Sequence, residues 1–284
     1  MNAMDFFYQL LKPKNRTKVV DIGANPIDGE PPYKMMLDLK ICEVVGFEPQ
    51  THALAILNQQ KSELENYLPY VVGDGAEHQL RICRSSGMTS LFEPNQEVLQ
   101  VFDFYLPLGE VLERVNVPTI RFDDIHEIQH VDYLKIDIQG GELNVFKHGY
   151  QQLKTAVAIQ TEVSFMTLYQ NQAGFGEIDI ELRSQGFVPH CFAAVKHWPI
   201  SPMVLNQNPA QPLNQLLEAD LVYVRDFSKP ELMNDEQLKQ LAVIAHYAYR
   251  SYDLALRCVI LLEERQVLSE SAKHEYVEYL QTIF

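Results

Sequence analysis

Basic residues are scarce in this chain. Its 284 residues include 23 Lys and Arg against 38 Asp and Glu, which gives a formal net charge of −15 at pH 7. A surface that binds nucleic acid needs clustered Lys and Arg to neutralise the phosphates. The excess of acidic residues therefore disfavours a nucleic-acid substrate, and we expect no nucleic-acid partner.

Long hydrophobic runs are also missing. No stretch of 18 consecutive apolar residues occurs, so the sequence predicts no membrane-spanning helix and no membrane partner. Residues 1–18 lack a basic segment followed by an apolar core and a small-residue cleavage site, so we expect no secretory signal. A hydrophobic content of 46% is ordinary for a globular protein, and the length allows one large domain with a small appendage.

Cysteine is rare and scattered. Cys42, Cys83, Cys191 and Cys258 are far apart and form no C-x-x-C pair, which is typical of reduced, buried cysteines in a cytoplasmic protein. No histidine lies near two cysteines, so we expect no zinc site and assign no metal.

Two short apolar runs, each followed by residues that suit a ligand, are the most informative pattern. Lys18–Ile22 leads into Gly23 and Asn25, and Val44–Phe47 leads into Glu48. In a parallel α/β sheet, a glycine turn lets the backbone approach a nucleoside, and a carboxylate after the next strand accepts hydrogen bonds from ribose hydroxyls. The pattern predicts a nucleoside pocket. The competing interpretation is an ordinary strand-turn-helix unit without a ligand.

The glycines of a dinucleotide-binding loop are absent. G-x-G-x-x-G holds a pyrophosphate on a helix N-terminus, but here Asn25 and Pro26 stand where glycines would be needed. No basic residue lies between Lys18 and Lys34. A nucleoside without phosphate fits this loop better, which favours S-adenosylmethionine over a nicotinamide cofactor.

Further strands are predicted to end at carboxylates on the same edge of the sheet. Asp74 follows the predicted third strand, Tyr70–Val72, where a carboxylate can accept from an adenine amino group, although a Gly-Asp-Gly turn is a common alternative. Asp137 and Glu162 end later strands. Lys135 shares a strand face with Asp137, and a charged pair in a buried strand is costly unless it is used or paired.

Strands that alternate with helices predict an α/β fold, with a Rossmann-like, doubly wound, mainly parallel seven-stranded sheet. The last two strands, Phe187–Cys191 and Leu221–Val224, are expected to form an antiparallel edge hairpin. We place the sheet domain at residues 1–227 and a C-terminal helical extension at 228–284. The apolar stripe of the extension has three open uses: packing on the main domain, a homodimer contact, or a cap over the active site.

Residues 92–117 contain several aromatic side chains without a clear period. Two interpretations stay open, a loop packed by its own aromatics and a lid that covers a substrate. We place acceptor recognition in residues 76–118 and in the C-terminal helices.

The strongest motifs lie in six segments: Val20–Asn25, Phe47–Pro49, Gly87–Leu91, Tyr133–Glu142, Thr161–Phe165 and Glu218–Arg225. Over about residues 18–226, their order and spacing resemble the FkbM family of S-adenosylmethionine-dependent methyltransferases. The resemblance implies a methyltransferase sheet and O-methylation of a hydroxyl on a small molecule, sugar or glycan. Two positions differ from the family pattern. Ile27 replaces a glycine in a loop that is longer by two residues, and Gln139 replaces the Glu of D-x-E-G.

The chemistry implied is direct displacement, in which a substrate oxygen attacks the sulfonium methyl group. An alcohol also needs a base to take its proton, and the candidates are Asp137 and Glu162, with His190 as a third. We place Asp137, Glu162 and Lys135 in the catalytic group. The predicted cofactor-binding residues are Asp21, Gly23, Asn25, Glu48, Asp74 and Asp137.

Two other functions stay open. Glu30-Pro31-Pro32-Tyr33 is similar to the [DNS]-P-P-Y motif of nucleic-acid N-methyltransferases, but it begins with Glu and follows the first strand rather than the fourth. The altered glycine loop and the helical extension are also compatible with a catalytically inactive scaffold that binds the cofactor.

Overall fold

The computed structural model describes residues 6–284, and the first five residues of the N-terminal segment lie outside this part. Within it, ten strands form a seven-stranded and a three-stranded sheet. The strands are β1 (Thr17–Ile22), β2 (Cys42–Phe47), β3 (Glu65–Leu68), β4 (Val71–Gly73), β5 (Glu77–Cys83), β6 (Val111–Arg121), β7 (Tyr133–Ile136), β8 (Ala158–Ser164), β9 (Phe187–Trp198) and β10 (Gln215–Arg225).

Helices precede, connect and follow these strands. They are α1 (Phe6–Leu11), α2 (Lys34–Asp38), α3 (Thr51–Gln60), α4 (Gln96–Val101), α5 (Tyr105–Leu108), α6 (Glu142–Lys147), α7 (Tyr150–Leu153), α8 (Phe175–Ser184), α9 (Asp235–Tyr247), α10 (Tyr252–Glu264) and α11 (Ala272–Ile283).

The large sheet has the order β3-β2-β1-β7-β8-β10-β9. In this sheet β3, β2, β1, β7 and β8 pair in parallel, whereas β10 is antiparallel to both β8 and β9. The strand order reverses between β1 and β7, which is the kind of switch point at which open α/β sheets bind ligands. The predicted seven-stranded, mainly parallel sheet with an antiparallel edge hairpin is confirmed.

Alternating side chains give the large sheet two buried faces. Val19 and Tyr133 lie in a hydrophobic cluster with α9, α10 and α11, whereas their neighbours Val20 and Leu134 lie in a second cluster with α6 and α8. We call these two sides the α9 face and the α8 face. Because both faces are covered, the central strands read as continuous apolar runs. A polar side chain within such a run is therefore buried.

Three helices follow the last strand, in the segment for which the sequence predicts a helical extension. Asn234 begins α9 with a capping box, in which its side chain and that of Gln237 each bond to the other residue's backbone N–H. Gln240 of α9 accepts a 2.7 Å hydrogen bond from the Thr17 hydroxyl of β1. These helices share the cluster of the α9 face, and the division at residue 227 stays a prediction.

The third strand of the large sheet is β3, and the prediction of Tyr70–Val72 in that place is wrong. β3 is short and polar, with the sequence Glu-Asn-Tyr-Leu, so it gives no apolar signal. Val71–Gly73 is β4, which lies in the three-stranded sheet β4-β6-β5. β5 pairs with β6, and Arg81 of β5 also forms an antiparallel bridge with Ser90 through two backbone hydrogen bonds of 2.8 and 3.2 Å.

The segment 92–117 contains α4, α5 and the beginning of β6. Leu99 and Phe102 of this segment join Leu168 and Leu217 in a third buried cluster. The segment therefore packs beside the ends of β8 and β10, at the edge of the sheet where parallel strands end. No helix in residues 6–284 combines the length and apolar character needed to cross a bilayer.

Candidate active site

The ends of β1 and β7 meet at Gly23. This residue has a φ of +80°, and a Cβ atom built on it would lie 1.8 Å from the carbonyl oxygen of Asp137. The backbone N–H groups of Gly23 and Ala24 donate to the Phe47 carbonyl at 3.0 and 3.1 Å. Contact between neighbouring strand ends thus requires glycine here, in addition to the ligand approach that the sequence suggested.

A cavity of about 260 Å³ opens at this edge and is lined by Gly23, Asn25, Glu48 and Asp137. We call it the Glu48 cavity. Glu48 is 2% exposed, and its Oε1 accepts a 2.7 Å hydrogen bond from the Gln50 N–H. Burial raises the pKa of Glu48 to about 7. Apolar walls come from Phe47, Tyr70, Val71, Val72, Leu80, Met88 and Leu91.

Glu142 holds the turn that follows β7. Gln139 and Gly140 have φ angles of +58° and +106°, which fold the chain back toward the beginning of α6. The Oε1 atom of Glu142 accepts hydrogen bonds from the N–H groups of Ile138 at 2.9 Å and Gly140 at 3.2 Å. Burial raises the pKa of Glu142 to about 7 despite these bonds. Glu142 therefore fixes the turn that positions Asp137.

The amide of Gln139 joins the two carboxyl groups that the sequence analysis placed in the catalytic group. Its Nε2 donates to Asp137 Oδ1 at 2.8 Å and to Glu162 Oε2 at 3.2 Å. Its Oε1 accepts from the Tyr169 hydroxyl at 2.9 Å, and its backbone carbonyl accepts from the Ser90 hydroxyl at 2.7 Å. The residue that differs from the family pattern thus connects three parts of the site.

Glu162 is a buried acid that forms no ion pair with any residue in 6–284, since the nearby Lys196 is paired with Glu218. Burial raises its pKa well above the ordinary value, and Glu218 and Asp137 add to this effect. Oxygens of Asp137, Glu142 and Glu162 lie within 4.8 Å of one another, a spacing that a divalent cation could use. However, one oxygen of each is already engaged by an amide or backbone N–H. These donors support the expectation of no metal, which stays a prediction.

Asp21 and Lys135 lie side by side on the α9 face. Tyr33 donates to Asp21 Oδ2 at 2.6 Å, while Lys135 Nζ lies 3.4 Å from Asp21 Oδ1 and donates to the Gly23 carbonyl at 3.2 Å. Asp21 Oδ1 is buried and accepts no hydrogen bond from the described part of the chain. The contact with the Gly23 carbonyl makes Lys135 a support of the turn after β1.

A second cavity of about 680 Å³ extends over the α9 face, and Asp21, Lys135 and Asp220 line it. We call it the Asp220 cavity. Asp137 and Lys196 line both cavities, which therefore meet at the ends of β7 and β9.

Asp74 lies elsewhere. It follows β4 of the small sheet, so its placement at the tip of the large sheet is wrong, and the described lining of the Glu48 cavity does not include it. Its Oδ1 accepts from the Ala76 N–H at 2.9 Å and lies 2.8 Å from His78 Nε2. The Ala76 bond is the main cause that lowers the pKa of Asp74. Its role toward adenine stays a prediction.

Histidines contribute to neither cavity among the described residues. His190 contacts the Ser251 hydroxyl at 2.5 Å, and burial lowers its pKa. His126 and His130 have the H-E-x-x-H spacing. They lie in a turn rather than on one helical face, and His130 Nε2 is 2.8 Å from Asp132.

Two residues of the site escaped the sequence analysis. Tyr169 lies in an irregular segment after β8, where no periodic pattern marks it. Lys196 lies in β9 and forms an ion pair with the buried Glu218 of β10. Glu218 stands between the apolar residues Leu217 and Ala219, and a charge in that position was the available signal.

Residues 21–189, more than half of the sequence, match the Methyltransferase FkbM domain. The chain belongs to the FkbM methyltransferase family. The resemblance expected from the six segments is thereby confirmed, and this FkbM protein is an S-adenosylmethionine-dependent methyltransferase. No curated protein matches the sequence.

Two solved structures illustrate the distance to other methyltransferases. Magnesium protoporphyrin IX methyltransferase from Synechocystis PCC 6803, solved with bound SAM, is 9% identical, with a TM-score of 0.38 over 79% of this chain and 78% of that one. Precorrin-6y C5,15-methyltransferase from Geobacter metallireducens GS-15 is 10% identical, with a TM-score of 0.35 over 78% and 88% of the two chains.

The FkbM protein has a hydrogen-bond acceptor, the Glu48 carboxylate, that suits the cofactor. An ionised carboxylate accepts hydrogen bonds only, and ribose hydroxyls donate them. Glu48 is buried, lines the cavity and accepts one backbone hydrogen bond through Oε1. Its remaining capacity and the apolar walls around it fit an adenosine group.

Proposed function

We propose that this protein methylates a hydroxyl oxygen and that Asp137 accepts the hydroxyl proton. The observation that carries the proposal is that Asp137 lines both cavities, between the space beside Glu48 and the space over the α9 face. When bound, S-adenosylmethionine supplies a methyl group whose bond to sulfur breaks as the acceptor oxygen bonds to the carbon.

Glu48 binds the ribose hydroxyls in this proposal. Gly23 and Asn25 line the same cavity and form its wall after β1. Asp21 and Lys135 lie behind this wall and hold the turn through the Gly23 carbonyl. Lys135 is therefore a positioning residue rather than a group that touches the acceptor.

Asp137 is a better base than Glu162. Burial raises the pKa of Glu162 well above its ordinary value, which disfavours the ionised form that a base needs. Gln139 bonds to one oxygen of Asp137 and leaves the other for an acceptor hydroxyl. A positioned base contributes about 10²–10⁴-fold to such a reaction.

Asp137→Asn tests this assignment. We expect release of S-adenosylhomocysteine to fall by about 10²-fold or more, because an amide cannot take the proton. Calorimetric binding of S-adenosylmethionine should change far less. Asp226→Asn, at the opposite end of β10, is the matched control and should keep full activity.

The acceptors in this assay are methyl glycosides and simple secondary alcohols. Unchanged turnover in Asp137→Asn would remove Asp137 from the mechanism. Failure of the wild-type protein to bind S-adenosylmethionine would reject the proposed function. Binding without turnover on any acceptor would favour the inactive scaffold.

A further inference from the structure

Three acidic residues stand in a row across the α9 face. Glu162 and Asp220 are direct partners in the register of β8 and β10, and Asp137 follows Ile136, which pairs with Thr161. Neighbouring strands lie about 4.8 Å apart, so the row extends about 10 Å between the backbones of Asp137 and Asp220. All three residues line the Asp220 cavity. The row therefore leads away from the proposed base along the floor of this cavity.

Asp220 is the acid at the far end of this row. It is half-buried in the middle of β10, and its carboxyl group forms no hydrogen bond or ion pair with any residue in 6–284, although its backbone pairs with β8 and β9. Burial raises its pKa to about 6, and the nearby Asp137 adds to this rise. A carboxyl group in such a place is costly unless a ligand uses it. Its oxygens remain acceptors for the donor groups of that ligand.

The rest of the lining supplies hydrogen-bond donors. Lys135 and Lys196 place ammonium groups on the same cavity, and Gln160 adds an amide. Hydroxyl groups both donate and accept, so a molecule rich in hydroxyls can satisfy carboxylates and ammonium groups together.

The charge of the lining also affects which acceptors can bind. The lining includes seven Asp and Glu residues but four lysines, so an anionic group would meet a net negative field. A carboxylate or phosphate on the acceptor would therefore be repelled.

We propose that the Asp220 cavity binds the methyl acceptor, that Asp220 recognises it, and that the site selects an uncharged, hydroxyl-rich molecule such as a sugar over an anionic one. This inference rests on the proposed function, because it uses the position of Asp137 where the two cavities meet.

Saturation-transfer NMR on the full chain, saturated with S-adenosylhomocysteine, tests this selection. The neutral probes are methyl glycosides of glucose, galactose, mannose and fucose, and the anionic probes are methyl glucuronide and glucose 6-phosphate. We expect binding of at least one neutral glycoside and none of the anionic sugars. Asp220→Asn should weaken the neutral glycoside about tenfold or more, since a hydrogen bond to a charged group is lost.

Two further variants complete the experiment. Asp226→Asn removes one negative charge beyond the cavity and should leave glycoside affinity unchanged. Asp220→Lys reverses the charge on the cavity floor and should admit the anionic sugars. Melting temperatures of all variants show whether each is folded. If Asp220→Lys does not fold, Asp220→Asn alone provides the test.

The inference is overturned if no neutral glycoside binds, if anionic and neutral probes bind equally, or if Asp220→Asn leaves affinity unchanged. Calorimetry of S-adenosylhomocysteine on the same samples separates the two proposals. Absence of this binding would reject the proposed function as a whole. Normal binding with failed sugar selection would reject only the acceptor inference.

Discussion

Carboxyl groups at this site that are equally buried differ in the hydrogen bonds that they already accept. Glu48 and Glu142 both have a pKa of about 7, yet Glu142 is occupied by backbone N–H groups and Glu48 has capacity for a ligand. Residue type and strand position predict where Glu48, Asp137 and Glu162 lie. The burial that raises the pKa of Glu48 and Glu162 arises only in the folded chain, as do the hydrogen bonds of Gln139 to Asp137 and Tyr169.

Binding of S-adenosylmethionine should depend on pH through Glu48. The ribose hydroxyls need the ionised carboxylate, and the pKa of about 7 means that the free protein is protonated at lower pH. Affinity should therefore be full above pH 7 and fall by up to about tenfold per pH unit below it. Calorimetry between pH 5.5 and 8.5 measures how the dissociation constant of S-adenosylmethionine changes with pH.

Glu48→Gln should remove that slope and weaken binding about 10–100-fold at pH 8, the cost of losing hydrogen bonds to a charged group. Glu77→Gln changes an exposed carboxyl on β5 and should behave as the wild-type protein. A slope that persists in Glu48→Gln would mean that another group binds the ribose.

Elements that are buried on both faces are the ones that the sequence predicts well. β1, β2 and β7 carry mainly apolar runs, which mark them in the sequence. β3 and the small sheet are short, polar or half-exposed, so their pairing depends on neighbours far along the chain. For the turn after β1, the sequence shows that a glycine is present, but it does not show the contact with Asp137 that requires this glycine.

Gly23→Ala should destabilise the protein more than Gly29→Ala. Both glycines have positive φ, at +80° and +90°, so both substitutions strain the backbone by about 1–3 kcal/mol. A Cβ at Gly23 also collides with the Asp137 carbonyl, whereas nothing lies within 4 Å of one at Gly29. Urea unfolding should show an additional loss of about 1–3 kcal/mol for Gly23→Ala. Equal losses would contradict the contact between β1 and β7.

At the scale of the whole molecule, the C-terminal helices and the sheet share one hydrophobic cluster. His246 of α9 lies where α1, α10 and α11 meet, and the rings of Phe7, Tyr247 and Tyr276 lie 4.6 to 5.7 Å from it. Burial lowers the pKa of His246 from 6.5 to about 4. The neutral imidazole is thus part of the junction between the helices.

Acid should weaken this junction. A base whose pKa is lowered by folding contributes its full stability above pH 6.5 and loses it as the pH falls toward 4, by about 3 kcal/mol in total. Carboxyls with raised pKa, such as Glu48, act in the opposite direction between about pH 4.5 and 7. The measurement is therefore the difference between wild type and His246→Phe in urea unfolding at pH 7.5 and 5.

His246→Phe should be relatively more stable at pH 5 than at pH 7.5. His274→Gln, at an exposed position of α11, should show no such difference. An identical pH response in wild type and His246→Phe would exclude His246 as the source.

The joint cluster also sets an order of events during synthesis. The ten strands leave the ribosome before α9, α10 and α11, so until these helices are made the α9 face is covered only in part, by residues of α1 and α2 such as Phe7 and Met36. Until then, Val19, Tyr133 and Val222 present an apolar surface on a nascent chain, the kind of surface that chaperones bind. Maturation of the enzyme thus depends on α9, α10 and α11, and a chain that stops before these helices would be a substrate for quality control.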